Sequence, residues 1–212
     1  MSYIAARREE EKERRRLEIV EAAEQLYAEH GWDAVTMDQV ARRARLSRAL
    51  LYVYFRDKED LLFAITERAL GELRRRFEAA AGEHELGIDQ VSAMGLAYTL
   101  FQQERPFQFD ACTRYHAHQT HEGAPNEAAC AAGGDAVMAV MVRSLQRGIE
   151  DGSIRRDIGE PIKICVMLWA FTHGLIQIAT TKAQEIARRG IEAGKFMEEG
   201  RAKLRELLAP RA

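Results

Sequence analysis

Residues 36–62 read TMDQVARRARLSRALLYVYFRDKEDLL and contain the start signals of two short helices in close succession. Thr36, followed three residues later by Gln39, matches a capping box and predicts a helix that begins at Met37. A turn of three residues follows this helix, and Ser47, the last of them, matches the N-cap of a second helix. Two short helices joined by such a turn are typical of a helix-turn-helix, so this stretch predicts that motif.

The same stretch is rich in positive charge. From Arg42 to Lys58 it carries six basic residues and one acidic residue, Asp57. Such a surface suits a phosphate backbone. Lys58 follows Asp57, the expected N-cap of the next helix, and a cation in the first turn of a helix opposes the helix dipole, so a bound anion would relieve it. Tyr52 and Tyr54 add hydroxyl donors of the kind that contact backbone oxygens.

A longer motif includes the second of these helices. The run from Tyr52 to Leu62 resembles the Y-x-Y-F-x-x-K-x-x-L signature of TetR-type transcriptional repressors, and Gly31-Trp32 matches that family's glycine-aromatic lead-in. The motif match covers residues 16–62, and beyond them only length and helical character agree with the family. The resemblance implies an all-α fold with an N-terminal three-helix helix-turn-helix DNA-binding domain and a C-terminal helical ligand-binding and dimerisation domain.

The expected domain boundary lies just before a long fourth helix. We expect the DNA-binding domain at residues 1–56 and the effector-binding and dimerisation domain at residues 57–212, linked by a helix over about residues 58–81. Apolar residues recur every four positions along that helix and predict a buried stripe. Its members are Leu61, Ile65, Ala69, Leu73 and Phe77. The first helix carries a comparable stripe and is expected to close at Gly31 in a left-handed cap. That stripe comprises Ile19, Val20, Ala23, Leu26 and Tyr27.

The resemblance also implies a set of DNA-binding residues. In the family, the matching positions at or near DNA are Thr36, Ser47, Arg48, Ala49, Leu50, Tyr52, Tyr54 and Lys58. Family members usually carry glycine where this chain has Arg45, and a non-glycine residue forced into a left-handed turn costs roughly 1 to 2 kcal/mol. Either the turn differs here or Arg45 offsets that cost by contacting phosphate, and we count it among the DNA-binding residues. Leu50 stands where threonine is common, so the base preference is expected to differ.

Composition limits the class of protein. With 212 residues, 47% of them hydrophobic and 30% charged, the chain is expected to fold. A net charge of −2 gives no general attraction to nucleic acid, so any such attraction must come from a local patch. Three widely spaced cysteines and the lack of a signal peptide favour a reduced, cytoplasmic protein. The long apolar stretch Ile162–Thr180 is interrupted by polar residues, which favours a buried helix over a membrane span.

The N-terminal residues allow two interpretations. Residues 1–12 are expected to be loose, with basic and acidic side chains interleaved from Arg7 to Arg16. They form either a solvated lead-in to the first helix or an arm that touches DNA; the acids largely cancel the arginines, which favours the former.

A small-molecule effector of unknown identity is expected among the fifth to eighth helices. The candidate ligand-binding residues are Phe101, Phe109, Tyr115, His116, Met138, Met141, Trp169 and His173. Methionines fill irregular space, which suits either an ordinary core or a pocket. His118 and His121 share a helix face without a carboxylate or cysteine to complete a metal-binding set, so no metal and no cofactor are expected.

The eighth helix, about Glu160 to Ile186, is apolar almost all round and therefore needs burial on more than one side. We expect it to meet a second subunit, together with a last helix of about Lys195 to Leu208, in a four-helix dimer bundle. The expected interface residues are Ala170, Gly174, Phe196, Gly200, Leu204 and Leu207.

These features indicate a DNA-binding regulator. The expected protein is a homodimeric repressor that binds a near-palindromic double-stranded DNA operator and is released by its effector. The alternative is a sequence-tolerant DNA-binding dimer without an effector. An enzyme is not expected, because the chain lacks G-x-G-x-x-G, G-x-x-x-x-G-K-[ST], H-E-x-x-H and G-x-S-x-G.

Overall fold

The computed structural model describes residues 3–114 and 125–211, and the regular elements within those ranges are all helical. This confirms the predicted all-α fold. A short 3-10 turn, Trp32–Ala34, follows the first helix. The helices are α1 (Tyr3–His30), α2 (Met37–Arg43), α3 (Arg48–Tyr54), α4 (Lys58–Gly82), α5 (Gly87–Glu104), α6 (Pro106–Arg114), α7 (Pro125–Asp151), α8 (Pro161–Thr181), α9 (Ala183–Ala187) and α10 (Ala193–Leu208).

The chain divides into two compact units. The first consists of Met1–Leu70 and Arg105–Gly133, and the second of Gly71–Glu104 and Gly134–Ala212. The predicted boundary at residue 56 falls inside the first unit. The reason is that α4 and α6 complete its core, since Ile65 and Ala111 are fully buried in the same apolar cluster as α1 to α3.

The core of the first unit follows the predicted stripe of α1. Ile19 and Ala23 are fully buried, and they pack with Leu51 and Phe55, which are also fully buried. The predicted left-handed cap is present: Gly31 has a φ of 74°, and its N–H donates to the carbonyl of Tyr27 at 2.9 Å. α1 to α3 are therefore held by one apolar core.

The N-terminus differs from the expectation of a loose segment, because α1 is helical from Tyr3. Its first turns are exposed, and oppositely charged side chains pair along the helix at spacings of three and four residues. Arg14, for example, lies 2.5 Å from Glu11 and 4.0 Å from Glu18. Pairs at these spacings stabilise a solvated helix, and the interleaved charges therefore favour the extension of α1 toward the N-terminus.

The second unit has its own apolar core, to which α5, α7, α8 and α10 contribute. Ile88, Leu145, Cys165 and Leu208 are buried in it. The start of α5 approaches α7 very closely at Gly87, where an added Cβ atom would lie 2.1 Å from the backbone nitrogen of Gly148. Since a backbone atom cannot rotate away, this contact requires glycine.

Gly87→Ala is expected to lower the free energy of unfolding by about 1 to 3 kcal/mol, the usual effect of overpacking a core. Gly95→Ala is the matched control, because it lies in the same helix and an added Cβ atom there meets nothing within 4 Å. That control is expected to be neutral or stabilising, since alanine favours helix over glycine. Urea unfolding measures both variants, and equal stabilities would contradict the close approach.

The eighth helix is shorter than predicted. α8 ends at Thr181, and the non-helical Lys182, with φ −120° and ψ 18°, separates it from α9. The hydroxyls of Thr180 and Thr181 donate to carbonyls one turn earlier, at Ile176 and Gln177, and such bonds compete with helix propagation. The helix face predicted to carry His118 and His121 lies outside the described residues.

Two helices in the described ranges are long and apolar enough to cross a membrane by length and composition alone, Asn126–Asp151 and Pro161–Thr181. Helices that line the core of a globular domain pass the same test, so this is weak evidence for a membrane span.

Candidate nucleic-acid interface

The start of α2 is fixed by the predicted capping box. The Thr36 hydroxyl accepts a hydrogen bond from the Gln39 N–H at 3.3 Å, and the Gln39 side-chain oxygen accepts from the Thr36 N–H at 2.7 Å. Thr36 is exposed. The backbone of Thr36 is therefore held in place by the capping box, while the residue remains accessible to solvent.

The turn after α2 is a Schellman motif with Arg45 in the left-handed position. The Leu46 N–H donates to the carbonyl of Ala41 at 2.9 Å, and the Arg45 N–H donates to that of Arg42 at 3.1 Å. Arg45 has a φ of 57°. The turn thus keeps the left-handed geometry that favours glycine. Of the two alternatives, a different turn is excluded, and Arg45 adopts the strained conformation.

Arg45→Gly is expected to raise the free energy of unfolding by about 0.5 to 1 kcal/mol. Removal of the left-handed strain stabilises the folded chain by about 1 to 2 kcal/mol. Glycine also gives the unfolded chain more conformational freedom, which lowers the free energy of unfolding by about 0.5 to 1 kcal/mol. Arg45→Lys keeps both the charge and the strain and is the control, expected to match the parent protein. Thermal unfolding measures both, and a less stable glycine variant would contradict the strain.

α3 presents most of its side chains to solvent. The Ser47 hydroxyl accepts from the Leu50 N–H at 3.2 Å, which confirms the predicted N-cap. Leu51 anchors the helix in the core, whereas Leu50 and Tyr52 are 39% and 41% exposed. Val53, at 77%, is the most exposed apolar residue of α3 and was not among the predicted contacts. Of the other DNA-binding residues predicted in α3, Arg48 and Ala49 are exposed, and Tyr54 is half-buried.

The guanidinium of Arg48 is oriented by two neighbours. Its Nε lies 3.2 Å from a carboxylate oxygen of Asp38 on α2, and its central carbon lies 5.7 Å from the centroid of the Tyr52 ring. No sequence pattern indicated the Asp38 contact, which joins residues on different helices. These contacts order Arg48 on the exposed side of α3.

The partly buried Lys58 is held by backbone carbonyls of its own chain. Its ammonium donates to the carbonyl of Trp32 at 2.6 Å, lies 3.4 Å from the carbonyl oxygen of Asp33, and sits 4.9 Å from the centroid of the Trp32 ring. Burial lowers the pKa of Lys58 below its ordinary value. Asp57 caps α4 as predicted, accepting from the Asp60 N–H at 2.8 Å. Backbone carbonyls therefore take the place of the outside anion that was expected to stabilise Lys58. A DNA contact of Lys58 stays a prediction.

The other basic residues of this surface differ in their pairing. Arg43 forms two short hydrogen bonds to Glu29 of α1, and Arg56 pairs with Asp57. Within the described residues, the side chains of Arg42 and Arg45 form no hydrogen bond or ion pair, and both are exposed. These two arginines are the ones most available to phosphate.

The described members of the predicted ligand-binding set belong to both units. Phe109 is buried in the first unit, whereas Phe101, Trp169 and His173 belong to the second. Met138 and Met141 pack against the core of the second unit. Tyr115 and His116 lie outside the described residues, as do His118 and His121. Elsewhere in the described chain, no group of three or more metal-ligating side chains is present.

In the second unit, Tyr98 connects two of the predicted ligand-binding residues, Trp169 and His173. Tyr98 was not itself among the predicted residues. The Tyr98 hydroxyl lies 3.0 Å from Nδ1 of His173 and accepts from the Trp169 indole N–H at 3.3 Å. Burial lowers the pKa of His173 below its ordinary value, so its ring is neutral at pH 7. Tyr98 is itself 6% exposed, whereas Trp169 is 49% exposed.

The predicted interface residues take different places in α8 and α10. Ala170 and Leu207 are exposed, Gly174 has open space beside it, and Phe196 is half-buried. Gly200 is buried within the chain, since an added Cβ atom would lie 2.4 Å from a Leu175 methyl group, and Leu204 packs against the core. These last two residues pack within their own chain, and a part for them in a dimer interface stays a prediction.

Comparison with known proteins finds sequence similarity concentrated in the helix-turn-helix. The family model for bacterial regulatory proteins of the tetR family matches residues 19–65. Over 58 residues the chain is 43% identical to the HTH-type transcriptional regulator HbdR of Aromatoleum sp. (strain CIB), covering 27% of this chain and 25% of that protein. Over 80 residues it is 40% identical to the regulator BetI of Rhizobium meliloti (strain 1021), covering 38% and 39%. The chain thus matches well under half the length of these relatives.

Similarity in fold extends further along the chain. A protein of unknown function from Rhodococcus sp. RHA1 superposes with a TM-score of 0.74 at 22% identity, over 92% of this chain and 95% of that one. The transcriptional regulator FadR of Bacillus subtilis, in complex with stearoyl-CoA, superposes with a TM-score of 0.69 at 15% identity, over 91% and 98%. At these identities the likeness shows the fold alone.

Proposed function

Because this chain belongs to the TetR family of bacterial regulatory proteins, we propose that it is an operator-binding transcriptional repressor. It binds near-palindromic double-stranded DNA as a homodimer in the cytoplasm, and a small-molecule effector releases it. The observation that carries this proposal is the exposed side of α3, where Arg48, Leu50 and Tyr52 face solvent while Leu51 fixes the helix to the core.

The dimensions of α3 suit a major groove. A helix enters that groove with the side chains of its first turns against base edges, and flanking groups contact phosphate. Arg48 and Leu50 lie in the first turn of α3, and the exposed Arg42 and Arg45 precede it. Arginine pairs with guanine, and leucine packs on thymine methyl groups, so these side chains supply both polar and apolar readout.

The exposed apolar side chains of α8 support the proposed homodimer. Val166, Met167, Trp169 and Phe171 are between 43% and 63% exposed in the single chain. A second copy of α8 would cover them, and a two-fold axis would then present two α3 helices to successive major grooves, about 34 to 36 Å apart. A near-palindromic operator follows from that symmetry.

The effector is proposed to bind in the second unit near Tyr98 and His173. A mostly apolar site with a few convergent polar groups is the usual form of a small-molecule pocket. The structurally similar FadR of B. subtilis was solved with stearoyl-CoA, which makes that compound a reasonable first probe. Release from DNA by tenfold requires a difference in affinity between the two states of only about 1.4 kcal/mol.

Selection of duplexes from a random-sequence pool by the full-length protein tests the proposal. We expect enrichment of one near-palindromic sequence, bound by two chains per duplex and released by effector. Failure to enrich any duplex would contradict DNA binding. A ratio of specific to non-specific affinity near one would instead support a sequence-tolerant DNA-binding dimer.

A further inference from the structure

A set of polar contacts outside the DNA-facing surface converges on the turn that precedes α2. Tyr27 of α1 donates its hydroxyl hydrogen to a carboxylate oxygen of Asp110 on α6 at 2.6 Å. The same oxygen accepts from Nε of Arg114 at 2.8 Å, and Arg114 reaches Asp33 with both terminal nitrogens, at 3.0 and 3.3 Å. We refer to Tyr27, Asp33, Asp110 and Arg114 as the clasp.

The buried member of the clasp is Tyr27, whose side chain is 3% exposed. Its ring packs against Trp32, with ring centroids 5.1 Å apart. Burial, followed by the hydrogen bond to Asp110, raises the pKa of the Tyr27 phenol well above its usual range. The hydroxyl therefore stays a donor at neutral pH, and it would be left without this partner if Asp110 were lost.

The clasp and Lys58 hold the same turn from two directions. Arg114 pairs with the Asp33 side chain, while Lys58 of α4 binds the carbonyls of Trp32 and Asp33. Asp33 lies three residues before Thr36, the N-cap of α2. The position of this turn therefore constrains the position of the first residues of α2, and α3 packs on α2.

We propose that the clasp is a positioning device that sets the orientation of the helix-turn-helix for its specific operator. This inference rests on the proposed function and names residues that touch neither base nor phosphate. α6, which lies far along the chain from the helix-turn-helix, thereby contributes to operator affinity through Asp110 and Arg114. Loss of the clasp leaves the basic surface intact but allows the turn, and with it α2 and α3, to adopt other orientations.

The variants Tyr27→Phe and Asp110→Asn test the proposal in the full-length protein. Each is expected to weaken binding to the duplex selected by the parent protein by about tenfold, the lower end for a hydrogen bond to a charged group. Affinity for a scrambled duplex of equal length is expected to stay within twofold, as is the slope of log affinity against log salt, because no phosphate contact is removed. Asp157→Asn is the matched control, since it breaks an Arg–Asp pair in the second unit.

The result that overturns the proposal is an unchanged affinity for the selected duplex, or an equal loss for both duplexes. A reduced salt slope would also overturn it, because the residues would then contact phosphate. If Asp110→Asn melts below the assay temperature, Tyr27→Phe, which keeps the ring, carries the test.

The double variant is expected to lose no more affinity for the selected duplex than the weaker-binding single variant. Additive losses of affinity would contradict a single clasp. If the parent protein selects no duplex, the proposed function fails instead, and amide hydrogen exchange at residues 32–36, expected to quicken in both variants, still tests the clasp.

Discussion

Raising the salt concentration from about 50 to about 200 mM is expected to weaken operator binding by about 10³- to 10⁵-fold. This follows from the number of cations on the proposed DNA-facing surface. Each subunit offers Arg42 and Arg45, with Lys58 as a third candidate, which gives about six phosphate contacts in a dimer, at the lower end of the range that produces this slope. The net charge of −2 means that the rest of the protein adds no general attraction. Fluorescence anisotropy with a labelled duplex at several salt concentrations measures the slope.

Two variants assign the slope to particular residues. Arg42→Gln and Arg45→Gln each remove one exposed cation per subunit, so each is expected to reduce the slope by about 1.8, or about 0.9 per contact. Arg75→Gln is the matched control, because Arg75 is exposed in the second unit and, among the described residues, pairs with Glu72 of its own helix. A parent slope near zero would contradict the phosphate-binding surface. If Arg75→Gln reduced the salt slope as much as the other two variants, the location of the phosphate-binding surface at Arg42 and Arg45 would be contradicted.

Local signals in the sequence predicted the helix-turn-helix well. The capping box at Thr36, the N-cap at Ser47 and the left-handed cap at Gly31 each depend on residues no more than four positions apart. Such signals are readable because the backbone geometry they create is complete within one turn of helix. The departure at Arg45 was apparent only through the family resemblance, because the glycine usual in the family marks this turn position as left-handed.

Contacts between distant residues could not be predicted in this way. Lys58 was expected to need an outside anion, yet it binds carbonyls 25 and 26 positions earlier in the chain. The hydrogen bond from Tyr27 to Asp110 joins residues 83 positions apart. Each residue taken alone matched a simpler role, Tyr27 as part of an apolar stripe and Lys58 as a surface cation. Only the packed structure brings their partners to them.

Helical periodicity also leaves open which neighbour covers an apolar face. Gly200 and Ala170 were both expected at a dimer interface because each offers a small side chain on an apolar helix. The structure separates them: Gly200 receives Leu175 of its own chain, whereas Ala170 is exposed. The same ambiguity applies to the proposed pocket, where Trp169 is half-exposed and Phe101 is fully buried.

Ala170→Glu is expected to convert the proposed dimer into monomers and to weaken operator binding by about 10²- to 10⁴-fold, the contribution of linking two binding modules. Ala170 is exposed in the single chain, so a glutamate there does not disturb the fold of the subunit. In a dimer built on α8, the two-fold axis would bring two carboxylates toward each other inside an apolar interface, where each loses hydration without gaining a partner. Sedimentation velocity measures the assembly, and gel shift measures the affinity.

The matched control is Ala128→Glu, which adds the same charge at an exposed position of α7 in the first unit. It is expected to remain a dimer, so any effect of charge alone would appear in both variants. Ala170→Ser, which adds one small polar atom, is expected to dimerise like the parent protein. A dimeric Ala170→Glu protein that binds the operator normally would show that α8 is not the interface, and the apolar side chains around Trp169 would then need another cover. A parent protein that sediments as a monomer would contradict the dimer itself, and with it the reason for a palindromic operator.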